Sequence, residues 1–104
     1  SIDKSIIKIL DIKCPSSGEF NKMNLENLDL IDQKDEIKFV ISNKTDYQFA
    51  IDFILSQKLF KKTKKILFSP VQSKIPARKL AEWMIKDRFP AILNLQIHKY
   101  IGIR

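Results

Sequence analysis

Four short apolar segments alternate with amphipathic helical segments along this chain of 104 residues, and the alternation constrains its fold more than any other feature. The strand candidates are residues 6–13, 36–41, 66–68 and 93–101. A helix is predicted over 45–59, where Thr45 and Gln48 have capping-box spacing and apolar residues recur at helical period. A second helix is predicted to begin near Pro76, and a shorter candidate lies around 24–30. Strands that alternate with helices predict an α/β fold of parallel βαβ units.

Some finer details of these elements can also be predicted. The third strand is expected to stop at Ser69 and Pro70. Side-chain parity favours an ion pair between Asp11 and Lys38 on neighbouring strands. The second helix is expected to bury an apolar stripe made of Leu80, Met84 and Ile85.

Composition narrows the function classes. The length fits a single domain, and no apolar run approaches the roughly 18 residues that a membrane span needs. The net charge of +7 comes almost entirely from lysine, whereas nucleic-acid readers favour arginine, so we expect neither a nucleic-acid nor a membrane partner. The single cysteine and the lack of a signal-peptide pattern favour a cytoplasmic location. The abrupt start on a strand and the two unpaired sheet edges suggest a piece of a larger barrel or sheet, one that self-associates.

The ends of the predicted strands are polar. Ligands of parallel α/β folds lie at the carboxyl ends of the strands, which here are residues 13–18, 42–43, 69–72 and 96–100. Loops are polar in any protein, so this pattern alone is equally well explained by solvent exposure. The last strand is more informative, because period-two alternation puts four polar side chains on one face: Asn94, Gln96, His98 and Tyr100. Such a row is either exposed or lines a cavity that holds a polar ligand.

Cys14 follows the first strand in the stretch DIKCPSSGE and raises the question of a reactive thiol. A nucleophilic cysteine needs a base, and the sole histidine, His98, is far away in sequence. A metal site needs several ligands, and the chain has no second cysteine. We therefore expect Cys14 to be a small packed side chain, and the chain to contain neither a catalytic residue nor a metal ligand.

Several stretches, in order, resemble the C-terminal half of the 7-carboxy-7-deazaguanine synthases. They are DIKCPSSGE, DEIKFVI followed by DYQFAIDFI, ILFSPV, and LAEWMIKDRFPAILNLQIHKYI. The resemblance covers almost the whole chain, and its specificity lies in the combination of KCPSSGE, FSPV and LQIHKY. This family consists of radical S-adenosylmethionine enzymes of queuosine and deazapurine biosynthesis.

The resemblance implies a fold, a reaction and a set of cofactors. The fold would be the C-terminal half of a partial TIM-type barrel, with residues 1–104 forming a single fragment. The reaction would convert 6-carboxy-5,6,7,8-tetrahydropterin to 7-carboxy-7-deazaguanine, with S-adenosylmethionine, a [4Fe-4S] cluster and Mg²⁺ as cofactors. The three-cysteine cluster motif lies in the family's N-terminal half, so the chain alone is expected to be inactive. Its open edges favour a homodimer.

The resemblance also implies site residues. Those expected to contact S-adenosylmethionine, by matching position, are Ser16, Ser17, Gln72, Lys13 and Ser69. Those expected to face the pterin are His98, Gln96 and Arg104, the last through the terminal carboxylate. Two alternatives stay open: a freestanding α/β binding or dimerisation module, and half of another radical S-adenosylmethionine enzyme such as an activase. A CxxxCxxC motif upstream of Ser1 would separate an enzyme from a module.

Overall fold

A parallel sheet with helices packed on it forms the centre of the chain in a computed structural model, which describes residues 6–17 and 28–95. The strands lie in the order β1 (Ile9–Ile12), β2 (Glu36–Ile41), β3 (Ile66–Pro70) and β4 (Ile92–Leu93), all parallel. Within these residues the α-helices are α1 (Lys44–Ser56) and α2 (Ala77–Asp87), and short 3-10 turns span Pro15–Ser17 and Leu59–Lys61. The predicted α/β class with parallel βαβ units is therefore confirmed, while the barrel remains a prediction.

One face of the sheet is the hydrophobic core. Phe39 of β2 lies in register with Phe68 of β3, and Phe68 with Leu93 of β4. The rings of Phe39 and Phe68 are fully buried and meet edge to face, with centroids 5.8 Å apart. The ring of Tyr47 in α1 packs on the ring of Phe68, with centroids 5.9 Å apart, and Leu80 of α2 is buried in the same cluster. Burying a side chain of this size contributes about 1.5–3 kcal/mol, so this face supplies most of the stabilisation.

The opposite face, called here the open face, carries both polar and apolar side chains. Its in-register row is Asp11, Lys38, Leu67 and Ile92, and all four side chains are at least partly exposed. Consecutive strands are neighbours and parallel crossovers are right-handed, so α1 and α2 lie on the same side of the sheet. The open face is therefore the side that the two helices leave uncovered.

The helices begin where local capping dictates. The side chain of Asn43 accepts a hydrogen bond from the Asp46 amide at 2.9 Å, which makes Asn43 the N-cap of α1. The capping box predicted at Thr45 and Gln48 is therefore wrong. Pro76 directly precedes α2, close to where the sequence placed it.

The apolar stripe predicted for α2 is only partly correct. Leu80 and Met84 are buried as expected, but Ile85 is 75% exposed. A helix that lies on one face of a sheet buries a narrow stripe, and Ile85 lies beyond its edge.

Two strand boundaries also differ from prediction. The first strand was predicted from residue 6, but β1 starts at Ile9, because the Lys8 amide donates to the side chain of Asp35 rather than to β2. The third strand was predicted to stop at Ser69 and Pro70, but pairing continues through both residues. Proline lacks a donor but still pairs in register with Ile41, whose carbonyl accepts from the amide of the next residue, Val71, at 2.9 Å.

The amino edge of the sheet is held by a buried carboxylate. Asp35 is fully buried and accepts hydrogen bonds from the amides of Lys8 at 2.9 Å and Asp32 at 3.0 Å. The ammonium groups of Lys8 and Lys34 lie 3.3 and 3.4 Å from its oxygens. The hydrogen bond from the Lys8 amide is the main cause that holds the pKa of Asp35 well below its usual range. Together with the other donors, it outweighs the effect of burial, which alone would raise this pKa. This carboxylate is fully partnered, as a structural carboxylate should be.

Candidate cofactor and substrate site

The polar segments that follow the strands lie along one edge of the sheet, as the sequence predicted. Because all four strands are parallel, their carboxyl ends share that edge. One polar residue there, Ser69, lies near the end of β3. The others follow a strand: Lys13, Ser16, Ser42, Gln72 and Asn94. This carboxyl edge, together with the open face beneath it, is the candidate site.

Asp46 ties two loops of the carboxyl edge together. Its side chain is fully buried and accepts from the Ser16 amide at 3.0 Å, from the Ser42 amide at 2.9 Å and from the Ser16 hydroxyl. The loop after β1 is thereby fixed to the loop after β2. The Ser16 hydroxyl proton is directed at Asp46, so the same oxygen is left with lone pairs that can accept from a ligand.

A second polar contact joins β3 to the residue after β4. Ser69 is buried, and its hydroxyl accepts a hydrogen bond from the Asn94 side-chain amide at 2.9 Å. The Asn94 backbone amide donates to the carbonyl of Phe68 at 2.9 Å. Leu93 packs against the core, so Leu93 and Asn94 take opposite faces, as the alternation of the last strand predicts.

Asp11 lies on the open face near the same edge. It is in register with Lys38, but its carboxylate pairs with Lys13 of its own segment, Oδ2 to Nζ at 3.4 Å. The predicted Asp11–Lys38 ion pair is therefore wrong, because the flexible Lys13 side chain reaches the same oxygen from two residues away. The other carboxylate oxygen, Oδ1, is buried and has no hydrogen-bond partner among the residues that the structure describes.

Of the other residues predicted to contact a ligand, the structure describes two, Gln72 and Ser17. Gln72 is exposed in the turn after β3, and Ser17 ends the 3-10 turn that contains Ser16. The last strand, predicted over 93–101, already ends at Leu93, since residues 94 and 95 are described without strand pairing. Its residues 96–101, and with them Gln96 and His98, lie outside the described residues, as do Arg104 and most of the candidate helix around 24–30.

Cys14 is a packed side chain, as expected. It is 1% exposed, and burial, followed by the negative charges of Asp46 and Asp11, raises the pKa of its thiol to about 12. A thiol in this environment does not fit a cluster, whose ligands are thiolates. Within residues 6–17 and 28–95, no three His, Cys, Asp or Glu side chains are grouped closely enough to hold a metal ion. The described residues therefore do not fit either the [4Fe-4S] cluster or Mg²⁺.

The described residues at the carboxyl edge do include polar groups of the kinds that S-adenosylmethionine would need. The cofactor carries hydroxyl and amino donors and a carboxylate acceptor. The carboxyl edge offers lone pairs on the exposed Ser16 side chain together with the partly exposed ammonium group of Lys13. Hydrogen-bond donors and hydrogen-bond acceptors are thus both present at the edge where a polar cofactor would lie.

Sequence reasoning missed Asp46 and did not include Asn94 among the site residues. The signal for Asp46 was its position three residues after Asn43, which is capping-box spacing with aspartate in place of glutamate. Nothing in the sequence indicated that its carboxylate would reach across to Ser16, 30 residues earlier.

Comparison with known proteins supports the resemblance. The chain is 37% identical over 113 residues to the 7-carboxy-7-deazaguanine synthase of Koribacter versatilis, covering 97% of this chain and 50% of that protein. It is 37% identical over 103 residues to the synthase of Chlorobaculum tepidum, covering 96% and 46%. The synthase of Methanospirillum hungatei is 37% identical over 95 residues, covering 90% and 38%. No protein-family model and no solved structure gives a significant match.

These matches also define how far the relationship extends. The chain spans about half the length of the curated relatives it matches, which fits the expected C-terminal half. In the described part of the chain, neither α1 nor α2 is long and apolar enough to cross a membrane. Over nearly its entire length, the chain is a relative of the 7-carboxy-7-deazaguanine synthases.

Proposed function

We propose that the chain supplies cofactor- and substrate-binding walls of an enzyme that makes 7-carboxy-7-deazaguanine for queuosine and deazapurine biosynthesis. The parent would be a radical S-adenosylmethionine enzyme of the carbon–nitrogen lyase type that acts on 6-carboxy-5,6,7,8-tetrahydropterin. The observation that carries this proposal is the 37% identity to named synthases over 97% of the chain. The cluster and Mg²⁺ would be held outside the described residues, which do not fit them.

The carboxyl edge would hold the cofactor. Ser16, which is hydrogen-bonded to Asp46, and its neighbour Ser17 would meet S-adenosylmethionine from the loop after β1. Lys13 would neutralise a negative group at the mouth of the same loop. Such contacts would orient the cofactor so that the radical it supplies reaches one carbon of the substrate.

Strands β3 and β4, in the other half of the sheet, would complete the pocket. Ser69 is held by Asn94 at 2.9 Å and would border the adenosyl group, with Gln72 beyond it. The polar row that begins at Asn94 would continue to Gln96 and His98, which would face the pterin. Arg104 would add its terminal carboxylate. The working enzyme would be a cytoplasmic homodimer with a small-molecule substrate and neither a nucleic-acid nor a membrane partner.

Ligand titration of the chain tests the proposal without requiring turnover. Calorimetry with S-adenosylmethionine and with 6-carboxypterin, a stable analogue of the substrate, should show binding of both. Gln72→Ala should weaken S-adenosylmethionine by roughly tenfold, because Gln72 is exposed and a hydrogen bond to a ligand contributes about 1 kcal/mol or more. His98→Ala should weaken only the pterin. Ser56→Ala, at the far end of α1, is the matched control and should change neither affinity.

The outcomes separate the possibilities. Absence of binding of either ligand to the unmodified chain would contradict the proposed walls. Unchanged affinities in Gln72→Ala and His98→Ala would leave the family relationship standing but remove these residues from the site. In addition, the chain incubated with the pterin, S-adenosylmethionine and reductant should release no 5′-deoxyadenosine above a protein-free control.

A further inference from the structure

Ile85 of α2 has the highest exposed fraction, 75%, of the large apolar side chains that the structure describes. The rest of the apolar stripe of α2, Leu80 and Met84, faces the core. A single exposed isoleucine is ordinary on a protein surface and needs no explanation. Ile85 differs because it belongs to the lining of an apolar hollow.

The hollow, called here the α2 hollow, lies between α2 and the β4 edge of the sheet and has a volume of about 330 Å³. The Phe89 ring in its wall is fixed in place, since it stacks on the buried ring of Phe68 with centroids 5.8 Å apart. No strand in residues 6–17 or 28–95 lies beyond β4 to cover the hollow. Its apolar lining consists of Ala81, Met84, Ile85, Phe89, Ala91 and Leu93.

The α2 hollow and the exposed side chain of Ile85 make one surface patch. An interface with two-fold symmetry uses the same patch on both subunits, so that each residue contacts in the other copy what the other copy contacts in it. A patch that carries both an exposed apolar side chain and an apolar hollow beside it meets this requirement. Ile85 of one copy can fill the hollow of the other, and the reverse contact forms at the same time.

The charges around Ile85 also favour a second copy of the chain. Glu82 and Arg88 each lie three residues from Ile85, on opposite sides of it. Both are exposed, and neither forms an ion pair with any residue in 6–17 or 28–95. A partner surface of one charge sign would match only one of these two residues, whereas a second copy with its α2 antiparallel matches both.

We propose that a second copy of this chain binds at this patch, with a two-fold axis that crosses α2 near Ile85. Ile85 of each copy would enter the α2 hollow of the other, and Glu82 would lie opposite Arg88 of the second copy. This inference rests on the homodimer of the proposed function, and it places the contact on α2 rather than on the open sheet edges. The carboxyl edge takes no part in it, so ligand binding and dimerisation can fail separately.

Sedimentation equilibrium of the chain tests the proposal at ~0.15 M salt, where the repulsion between two copies of net charge +7 is largely screened. We expect a dimer with a Kd of about 1–100 µM, since small interfaces give weak complexes. Ile85→Glu should raise this Kd at least ~100-fold, because it places an unpaired charge in an apolar hollow. Leu55→Glu on α1 and Ile9→Glu on the open edge of β1 are matched controls at 60% and 62% exposure, and each should leave the Kd within about twofold.

Two further exchanges test the hollow and the charges separately from Ile85. Ala81→Phe fills the α2 hollow from within its own copy, so it should raise the Kd about tenfold or more without lowering Tm. Glu82→Arg sets like charges opposite each other and should raise the Kd by about threefold or more. Adding Arg88→Glu to Glu82→Arg restores opposite signs and should recover most of that loss.

Three results would overturn the proposal. They are a chain that stays monomeric throughout the concentration series, a dimer that Ile85→Glu leaves intact, and a dimer that Ile9→Glu breaks as strongly as Ile85→Glu. A fall in Tm for Ile85→Glu with no change in mass would also overturn it, by showing that the chain itself covers Ile85. Calorimetry of the same proteins with S-adenosylmethionine and with 6-carboxypterin keeps the two proposals apart. If the unmodified chain binds neither ligand but dimerises through Ile85, the binding walls fail and this inference stands.

Discussion

Replacing Asp46 with alanine tests whether one side chain organises the carboxyl edge. The exchange removes three hydrogen bonds to a fully buried carboxylate: from the Ser16 amide, the Ser16 hydroxyl and the Ser42 amide. A hydrogen bond to a charged group contributes about 1.5–3 kcal/mol, but such contributions are not additive. Removing the carboxylate also relieves its desolvation cost, which offsets part of the loss. The free energy of unfolding should therefore fall by about 2–4 kcal/mol, a large share of the roughly 5–15 kcal/mol typical of a domain.

Urea unfolding followed by circular dichroism measures this loss, and amide hydrogen exchange locates it. The Ser16 and Ser42 amides should exchange much faster in Asp46→Ala, while the amide of Phe68 in the core should change only with global stability. Asp46→Asn keeps one oxygen and should lose about half as much. Asp52→Ala, on the exposed side of α1, should stay within about 0.5 kcal/mol of the parent. A loss below about 1 kcal/mol in Asp46→Ala, or unchanged exchange at Ser16 and Ser42, would refute the tie between the two loops.

Two further predictions concern the ionisation of buried groups. The folded state holds the pKa of Asp35 below that of an unfolded aspartate, about 4, so its stabilising contribution is present above pH 4 and is lost as pH falls through the folded value. The urea midpoint of the parent should drop between pH 5 and the lowest pH at which it folds, and Asp35→Asn should show a shallower drop; parallel pH curves for the two proteins would contradict this. Cys14, whose pKa is about 12, should react with a thiol reagent at pH 8 at least ~100-fold more slowly in the folded chain than in urea. Rapid labelling of the folded chain would show that the loop after β1 opens readily.

The sequence was a good guide to the elements and to the edge where the site lies. Apolar periodicity located β2 and both helices to within a few residues, because burial of Phe39 and Phe68 on one face dominates the local preferences. Parallel strands share a carboxyl edge whatever their loops contain, so the position of the polar edge followed from the parallel direction of the strands.

The finer errors have a common physical origin in contacts between distant segments. The side chain of Asp35 accepts the hydrogen bond of the Lys8 amide, 27 residues earlier, so β1 begins only at Ile9. Ser69 and Pro70 continue β3 because β2 offers them pairing partners, although proline favours a strand end by itself. Short-range patterns carry no information about such pairings, so the sequence could not reveal them.

The aspartates of the chain that have buried oxygens differ in the number of donors that those oxygens accept. Asp35 at the amino edge and Asp46 at the carboxyl edge each accept several donors, and both hold segments together. Asp11 is buried at one oxygen only, and that oxygen lacks a donor among the described residues. Folding alone would favour an apolar residue there, because an unpartnered acceptor lowers stability and aspartate weakens a strand.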